Sequence, residues 1–491
     1  MDICTPEYPV DSVRVRDGIS WVTSVTCECP FAPEHFWTVI DLWTAEPQYV
    51  IVHILRAEIL SEQIESEHPV LKRIRRRLMP KRAKIDIPMV QDVVSLEDPE
   101  GVCWAEHIPV FDGPWEEQDL PYFCPKVRKF AYVLEPGSED DGRSGRLSVC
   151  IVPFEHDDAP LANVKMQRVW TVLLKALFKF MRGTAAGYEK RVHHDVIAPK
   201  IAFQDKYQCL KDKYIGWVDK WPEETDPRKH VFEDVAIAAW LIVIWENEQQ
   251  ELGLQRKQTF VDVGCGNGLL VHILTEEGYS GHGIDMASRK LWKMFDAKTK
   301  LTAQVIHPKE TTYPGVDWII GNHPDELTLW IPIFAARSGY DTRFVIIPCC
   351  FHELSGIRFT HTDISKGRYH SYLEHVVDFC ERVCGYIPEK EHLRIPSTKN
   401  VAIIGRKRTF GIDESAPECQ SPDDYHRLIL ERIDAEVSAV ALVLRKTDQE
   451  KEQLRREREA AKRAQAGSIQ APSDDGESAE MLMEEFGGMS L

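Results

Sequence analysis

The stretch FVDVGCGNGLLVHILTEEGYSGHGID, Phe260 to Asp285, combines an acid, three glycines on alternate positions and a second acid. It reads as a strand TFVDV ending near Asp262, a turn of Gly264, Cys265, Gly266, Asn267 and Gly268, and a helix anchored by Leu269, Leu270, Ile273 and Leu274. The glycines let the backbone approach a ligand through angles that a Cβ would obstruct. Asp285 then closes a second strand, where a carboxylate can accept both hydroxyls of an adenosine ribose. A dinucleotide and S-adenosylmethionine both suit this layout. Dinucleotide sites favour G-x-G-x-x-G, with pyrophosphate on a bare helix N-terminus. Here the spacing is D-x-G-x-G-x-G, and an acid at Asp262 repels pyrophosphate yet accepts hydrogen bonds from, and offsets the charge of, the amino-acid and sulfonium ends of S-adenosylmethionine. The reading favours S-adenosylmethionine, bound by Asp262, Gly264, Gly266, Asn267, Gly268 and Asp285.

A second cluster, DWIIGNHPDELTLWIP from Asp317 to Pro332, follows the fourth strand, where the methyl acceptor should be met. Asn322 joins the cofactor-binding set; His323, Asp325 and Glu326 supply further polar groups. Trp330 and Pro332 suit either a stacking wall or core packing, and PCCFHELSG brings His352 and Glu353 toward the same rim. Glu233 and Asp234 read as acids ahead of an apolar helix, complementing its dipole.

No metal site is expected. Cys27 with Cys29, and Cys349 with Cys350, lack the spacing of a zinc site and read as buried thiols. His193, His194 and Asp195 are adjacent, so their side chains diverge, and methyl transfer needs no metal. Lys190, Arg191 and Lys200 suit phosphate contact instead, while Arg394 and Lys399 in RIPSTKN suit either an RNA backbone or a plain loop.

The elements that must position these residues lie between about Lys190 and Arg408. Candidate strands TFVDV, GHGID, AQVIH, DWIIG, RFVIIP and VAIIG alternate with helices that include GLLVHILTEEG and YHSYLEHVVDFCERVCG. This alternation predicts an α/β doubly wound domain around a parallel sheet, with its ligand outside the C-terminal strand ends. The domain is placed at residues 186–410. Residues 1–185 read as an α+β region with RNA binding as a candidate role. It includes an exposed loop from Gly137 to Gly145 and a helix presenting Val169, Val172, Leu173, Leu177 and Phe180, with Gly183 as its stop. Residues 411–467 read as a C-terminal helical extension whose long helix is opened by Ser421 and Pro422, and 468–491 as a disordered acidic tail.

The bulk numbers narrow the class. A chain of 491 residues with 43% hydrophobic residues builds several cores. Thirteen scattered cysteines argue for reduced thiols over a disulfide framework. The longest apolar run, Val235 to Trp245, falls short of the roughly twenty residues that cross a bilayer, and the N-terminus has no signal-like apolar segment. A cytoplasmic protein without membrane contact is the expectation. The net charge of -18 opposes nucleic acid on average, but LKRIRRRLMPKRAKI, Leu71 to Ile85, holds eight Lys or Arg. That cluster is either an RNA contact or a solvated helix face.

The ordered set KRVHHDVIAPK, WPEETDPRKHVFEDVAIAAWLIVIWE, FVDVGCGNGLLVHIL, GIDMASRKLW, WIIGNHPDELTLWIP, FVIIPCCFHELSG and LRIPSTKNVAIIG resembles the eukaryotic tRNA (uracil-2'-O-)-methyltransferases that act on uridine forty-four of serine tRNA. The resemblance covers roughly Lys190 to Gly405. It implies a class I, Rossmann-like methyltransferase fold, S-adenosylmethionine as donor, a ribose 2'-hydroxyl as acceptor, serine tRNA as partner and a cytoplasmic setting. The C-terminal zinc finger of some relatives has no counterpart, since Cys419 is the last cysteine and His426 the last histidine. The Lys-Asp-Lys-Glu set used by many ribose methyltransferases of this fold does not map onto the chain. Asp325 is the leading candidate to orient or deprotonate the hydroxyl, and His323 the second. Two other readings stand beside this one: a non-catalytic RNA-binding scaffold, which has no need of Asp262, three glycines and Asp285, and methylation of another acceptor. For a base nitrogen, NHPD lacks the second proline and the aromatic residue that planar recognition uses.

Overall fold

The computed structural model describes residues 4–9, 12–64, 70–137, 144–154, 164–188, 193–360, 366–413, 416, 419–443, 455–457 and 459. The chain divides into two compact units, Met1–Lys190 and Arg191–Leu491. The expected loop tip at 138–143, the cations Lys190 and Arg191 and the acidic tail lie outside the described residues.

The first unit contains β1 (Val13–Arg16), β2 (Ile19–Glu28), α1 (Pro33–Ala45), β3 (Ile54–Ile64), β4 (Val70–Pro80), β5 (Met89–Glu97), β6 (Cys103–Val110), β7 (Lys129–Glu135), β8 (Arg146–Val152) and α2 (Val164–Ala185). The strands form one antiparallel sheet in the order β1-β2-β8-β7-β6-β5-β4-β3. Strand alternation sends Val25, Tyr132, Leu134 and Val149 to a core shared with Phe36 and Ile40 of α1 and Leu174 and Leu177 of α2. The opposite face carries an edge-on Trp21–Trp104 pair, with Lys129 over Trp21 and Arg16 over Trp104. The buried face of α2 is Trp170, Leu173, Leu174, Leu177, Phe178 and Met181, while Val169 and Val172 are exposed. Leu173 and Leu177 of the expected face are buried, but the face turns toward Trp170, Phe178 and Met181 and away from Val169 and Val172, because the larger side chains bury more area.

The basic cluster at Leu71 to Ile85 is largely β4, not a helix face. Burial alternates along it: Ile74 and Leu78 turn inward, while Arg75 turns outward and makes a bidentate pair with Asp92. Arg76 also points inward and is buried, donating to the carbonyls of Trp43 and Thr44 and to Gln91 Oε1. Those carbonyls end α1, so the guanidinium meets the negative end of the helix dipole in place of a carboxylate. Burial still lowers its pKa to about 10.

The second unit contains α3 (Lys200–Tyr214), α4 (Pro227–Leu252), β9 (Thr259–Val263), α5 (Leu269–Glu276), β10 (Ser280–Asp285), β11 (Lys300–Ala303), β12 (Trp318–Asn322), α6 (Trp330–Ser338), β13 (Arg343–Ile347), α7 (Arg368–Arg382), β14 (Tyr386–His392), β15 (Val401–Arg408) and α8 (Pro422–Ala439). The sheet order is β11-β10-β9-β12-β13-β15-β14. From β11 to β13 it is parallel, and β15 is antiparallel to both its neighbours, so the all-parallel expectation fails at this edge. The edge strand β14, YIPEKEH, was missed because it is polar and carries Pro388, which sits where the register slips. AQVIH, expected as a strand, is one only at its first residue: β11 ends at Ala303, because its sole partner β10 ends at Asp285.

Helix α4 is buried on nearly every side from Val231 to Trp245. It has the N-cap Asp226, Pro227 in its first turn, and Gly253 at φ 63° as its C-terminal stop. Helix α8 docks Tyr425, Ile429, Ile433 and Val437, four residues apart each time, after the cap Ser421. It ends at Ala439, where Val440 is extended, so the single long helix expected here does not form as one piece.

Candidate active site

Strands β9 and β12 are parallel neighbours, and the loops after them leave the sheet at the same end. Helix α4 packs with α5 on the sheet face that carries Phe260, Trp318 and Ile320. Between these elements lies a cavity of about 980 Å³, within the size range of small-molecule sites.

The glycine turn forms one wall. Gly264, Gly266 and Gly268 adopt φ of 82°, 53° and 77°, the left-handed region that side chains avoid. Their tasks differ. A Cβ on Gly268 would lie 2.6 Å from Leu301 Cδ1, so this glycine permits packing; a Cβ on Gly266 would meet nothing within 4 Å, so this one leaves space. Asp285 Oδ2 accepts from Gly266 N at 3.0 Å, Oδ1 accepts from Ala287 N at 3.1 Å, and the carboxylate lines the cavity.

Asp262 stands elsewhere than the sequence suggested. Alternation along β9 sends Val261 and Val263 into the core beneath α6 and turns Phe260 and Asp262 toward α4 and α5. Asp262 is 1% exposed, does not line the cavity, and has an Oδ1 without a hydrogen-bond partner. Burial, together with Asp234 and Asp285, pushes its pKa well above the ordinary carboxylate value.

Glu233 and Asp234 lie inside α4, in its second turn, and face the cavity. Asp234 ties the two loops together: Oδ2 accepts from Asn267 Nδ2 at 3.2 Å and Oδ1 from Asn322 Nδ2 at 3.4 Å. Burial raises the Asp234 pKa to about 7, with the charge of Glu233 adding to it. Asn267 Oδ1 also accepts from Leu269 N at 2.7 Å, which steadies the start of α5. Asn322 Oδ1 is buried without a partner. The signal for this acidic pair was present, since adjacent acids inside the run Val231 to Trp245 are too costly to bury unless partnered.

His323 and Asp325, on either side of Pro324, have φ of 54° and 48°. Two left-handed non-glycine residues one apart store strain that the surroundings must hold. Both line the cavity. His323 Nε2 is 3.1 Å from Glu233 Oε1, and its Nδ1 is buried without a partner. Cys349 Sγ donates to Asp325 Oδ1 at 3.2 Å. Cys27 and Cys29 are buried as expected, but Cys349 and Cys350 are half-exposed.

The remaining candidates have other partners. Trp330 lines the cavity but is 2% exposed, donates to Leu354 O and stacks on Phe334, so it is mainly a core residue and not a free stacking platform. His352 bonds to Gly356 O and Glu353 to His375. His194 bonds to His392 O, and Asp195 pairs with Arg394, so these residues fasten the start of the unit to β14 and its following loop. Lys399 lines the cavity with its Nζ 4.1 Å from the Tyr369 ring centre. Leu442 and Val443, beyond α8, also line it, with no local pattern to mark them; Val443 N donates to Ser355 O at 2.8 Å.

Comparison with known proteins agrees with this layout. Residues 5–191 match a family model described as the TRM44-like, N-terminal bet v1-like domain, and residues 197–308 one described as a predicted AdoMet-dependent methyltransferase. A Schizosaccharomyces pombe protein named tRNA (uracil-O(2)-)-methyltransferase is 32% identical over 82% of this chain and 88% of its own length. A Neurospora crassa protein of the same name is 38% identical over 69% of this chain and 72% of its own. A mouse protein named probable tRNA (uracil-O(2)-)-methyltransferase is 51% identical over 43% of this chain, but only 29% of its own length is matched. A human relative of that name is matched over 30% of its length, so the chain spans under a third of these two relatives. A bet v1-like first unit, a Rossmann-like methyltransferase second unit and the fungal identities together place the chain in the tRNA (uracil-O(2)-)-methyltransferase family.

Proposed function

We propose that this protein transfers the methyl group of S-adenosylmethionine to the ribose 2'-hydroxyl of a uridine in tRNA, at position forty-four of serine tRNA, in the cytoplasm. The observation that carries the reading is the cavity floor. There the Asn322 Oδ1 has no donor, Gly266 opens onto free space, and Glu233, Asp234 and Asp285 all line the cavity. Buried acceptors without donors, beside several carboxylates, suit a ligand that brings N–H groups and positive charge, as the ammonium and sulfonium of this donor do. A dinucleotide would bring phosphates to the same acids. In this reading Asp285 takes the ribose diol, and Asn267, Asn322 and the glycine turn hold the rest of the donor; that all of them except Gly268 line the cavity supports it. Asp262 lies behind the lining and does not meet the donor.

S-adenosylmethionine supplies an activated methyl group when bound; the chain must align an acceptor and manage its proton. In-line geometry provides much of the rate. A ribose hydroxyl is a weak nucleophile, so a base beside it matters. His323 fits that role: Nε2 is engaged by Glu233, which leaves Nδ1 as the acceptor. Asp325, whose Oδ1 already accepts from Cys349, fits an orienting role at the same rim. The acids that line the cavity and the names of the fungal relatives support this reading over that of a scaffold.

The test is nucleoside mapping by mass spectrometry of serine tRNA incubated with purified protein and labelled donor. Label on a uridine ribose at position forty-four is expected. Label on a base, or none, would reject the reading.

A further inference from the structure

Strands β12 and β13 are parallel neighbours in a register that sets Asn322 opposite Ile347, so the residues just beyond each strand end meet. On one side this brings Asp325, on the other Cys349 and Cys350. We propose that these three residues form a binding site for a thiophilic divalent cation, zinc foremost, at the acceptor side of the cavity. This is a site that the donor-binding residues do not need.

Three observations carry it. One carboxylate oxygen of Asp325 and the two sulfurs all lie within 4.8 Å of one another, the only such group among the described residues. Tetrahedral zinc, with bonds of about 2.3 Å to sulfur and about 2.1 Å to oxygen, needs ligand separations of roughly 3.6–3.8 Å, so modest side-chain rotation closes the set. The Cys349–Asp325 distance is already 3.2 Å. Second, both cysteines are half-exposed, unlike the buried thiols Cys380 and Cys384, so an ion can reach them. Third, Asp325 is held at φ 48°, a left-handed angle that is costly for a residue with a side chain, in the short turn that sets its carboxylate beside Cys349.

The ligand set selects the metal. Two sulfurs and one carboxylate suit zinc and disfavour magnesium and calcium, which take oxygen ligands. Three protein ligands leave one tetrahedral position, the arrangement of zinc sites that bind a reacting oxygen. Asp325 and Cys349 line the cavity, so that position is reached from it.

Resting on the proposed function, the role follows: the open position takes the acceptor hydroxyl and lowers its pKa. The hydroxyl proton passes to His323, an oxygen lone pair forms the new O–C bond, and the breaking C–S bond leaves its electron pair on sulfur as a neutral thioether.

The full chain is stripped of metal with a chelator, dialysed against zinc or cobalt, and compared with the Cys349→Ser/Cys350→Ser double variant and with Asp325→Asn. Circular dichroism and thermal unfolding serve as checks on folding. The wild type should retain one zinc per chain more than the double variant and show a thiolate-to-cobalt charge-transfer band that the double variant lacks. Asp325→Asn should keep the band with affinity lowered about tenfold or more. Equal metal content and matching cobalt spectra in all three would overturn the site. The binding readout does not depend on any RNA, so it stands or falls apart from the proposed function. The role is tested by methyl transfer to serine tRNA: a rate lost on chelation and restored by zinc supports it, and an unchanged rate with zinc removed overturns the role while leaving the site.

Discussion

The imidazole of His323, in the loop after β12, and the carboxylate of Glu233, in α4, meet at 3.1 Å, 90 residues apart in sequence. The pair joins a strained residue, with φ 54°, to a buried acid, and it leaves Nδ1 without a partner. An acid that holds one imidazole nitrogen fixes the tautomer, and with it the nitrogen that takes a proton.

If that pair handles the proton, His323→Ala lowers kcat by about 10²–10³-fold, in the usual range for general base catalysis. Glu233→Gln, which can flip its amide and favour the wrong tautomer, lowers kcat by about tenfold or more with the donor KM changed less than about twofold. Methyl-transfer kinetics with labelled donor and serine tRNA give both numbers. Wild-type kcat in both variants would remove the pair from the chemistry.

The glycines of the turn should fail in different ways. Gly268→Ala forces a Cβ toward Leu301 at positive φ and should lower stability by about 2 kcal/mol or more. Gly266→Ala adds its methyl to open cavity space, so it should raise the dissociation constant for S-adenosylhomocysteine by about tenfold with a smaller loss of stability, close to the 1–2 kcal/mol of the backbone strain alone. Calorimetric titration and thermal unfolding of each variant separate the two effects.

Asp234 makes stability depend on pH. Burial first, then Glu233, raises its folded pKa to about 7, above the unfolded value of 3.8. A raised pKa means that the folded chain holds a proton the unfolded chain gives up more readily. The stabilisation is therefore full below the unfolded value and is lost as pH rises through about 7. In thermal melts without ligand, wild type should lose more stability than Asp234→Asn between roughly pH 5 and 8, since the amide does not ionise. Parallel curves would show that Asp234 does not titrate there.

Arg76 should be a stability residue of the first unit and no part of an RNA surface. Arg76→Ala strands the carbonyls of Trp43 and Thr44 and the amide of Gln91, and should cost about 2–4 kcal/mol in urea unfolding. Affinity for tRNA, measured on the folded variant at low temperature, should stay within about twofold, since the side chain is buried. A large loss of affinity with little loss of stability would contradict this placement.

Much of the second unit could be read along the chain because its signals are local. TFVDV became β9 residue for residue, and Ser421 with Pro422 opened α8. Such features depend on a strand's apolar run, a turn's need for positive φ and a cap's hydrogen bond, all set by residues close in sequence. The polar edge strand β14 and the antiparallel β15 were not legible, because edge strands need little hydrophobicity and strand direction depends on connections far along the chain.

For the site, the sequence by itself determined the glycine turn, the paired acids Asp262 and Asp285, and the Asn322–Asp325 loop, because a nucleotide-binding turn is written within some two dozen residues. Only the tertiary structure decided that Asp262 stands behind the cavity while Asp234 joins its two loops, that Glu233 holds His323, and that Asp325 meets Cys349. The reason is geometric: which side of a strand faces α4, and which loop ends lie side by side, follow from how β9, β12 and β13 are ordered in the sheet, and residues distant in sequence acquire partners only once that order exists.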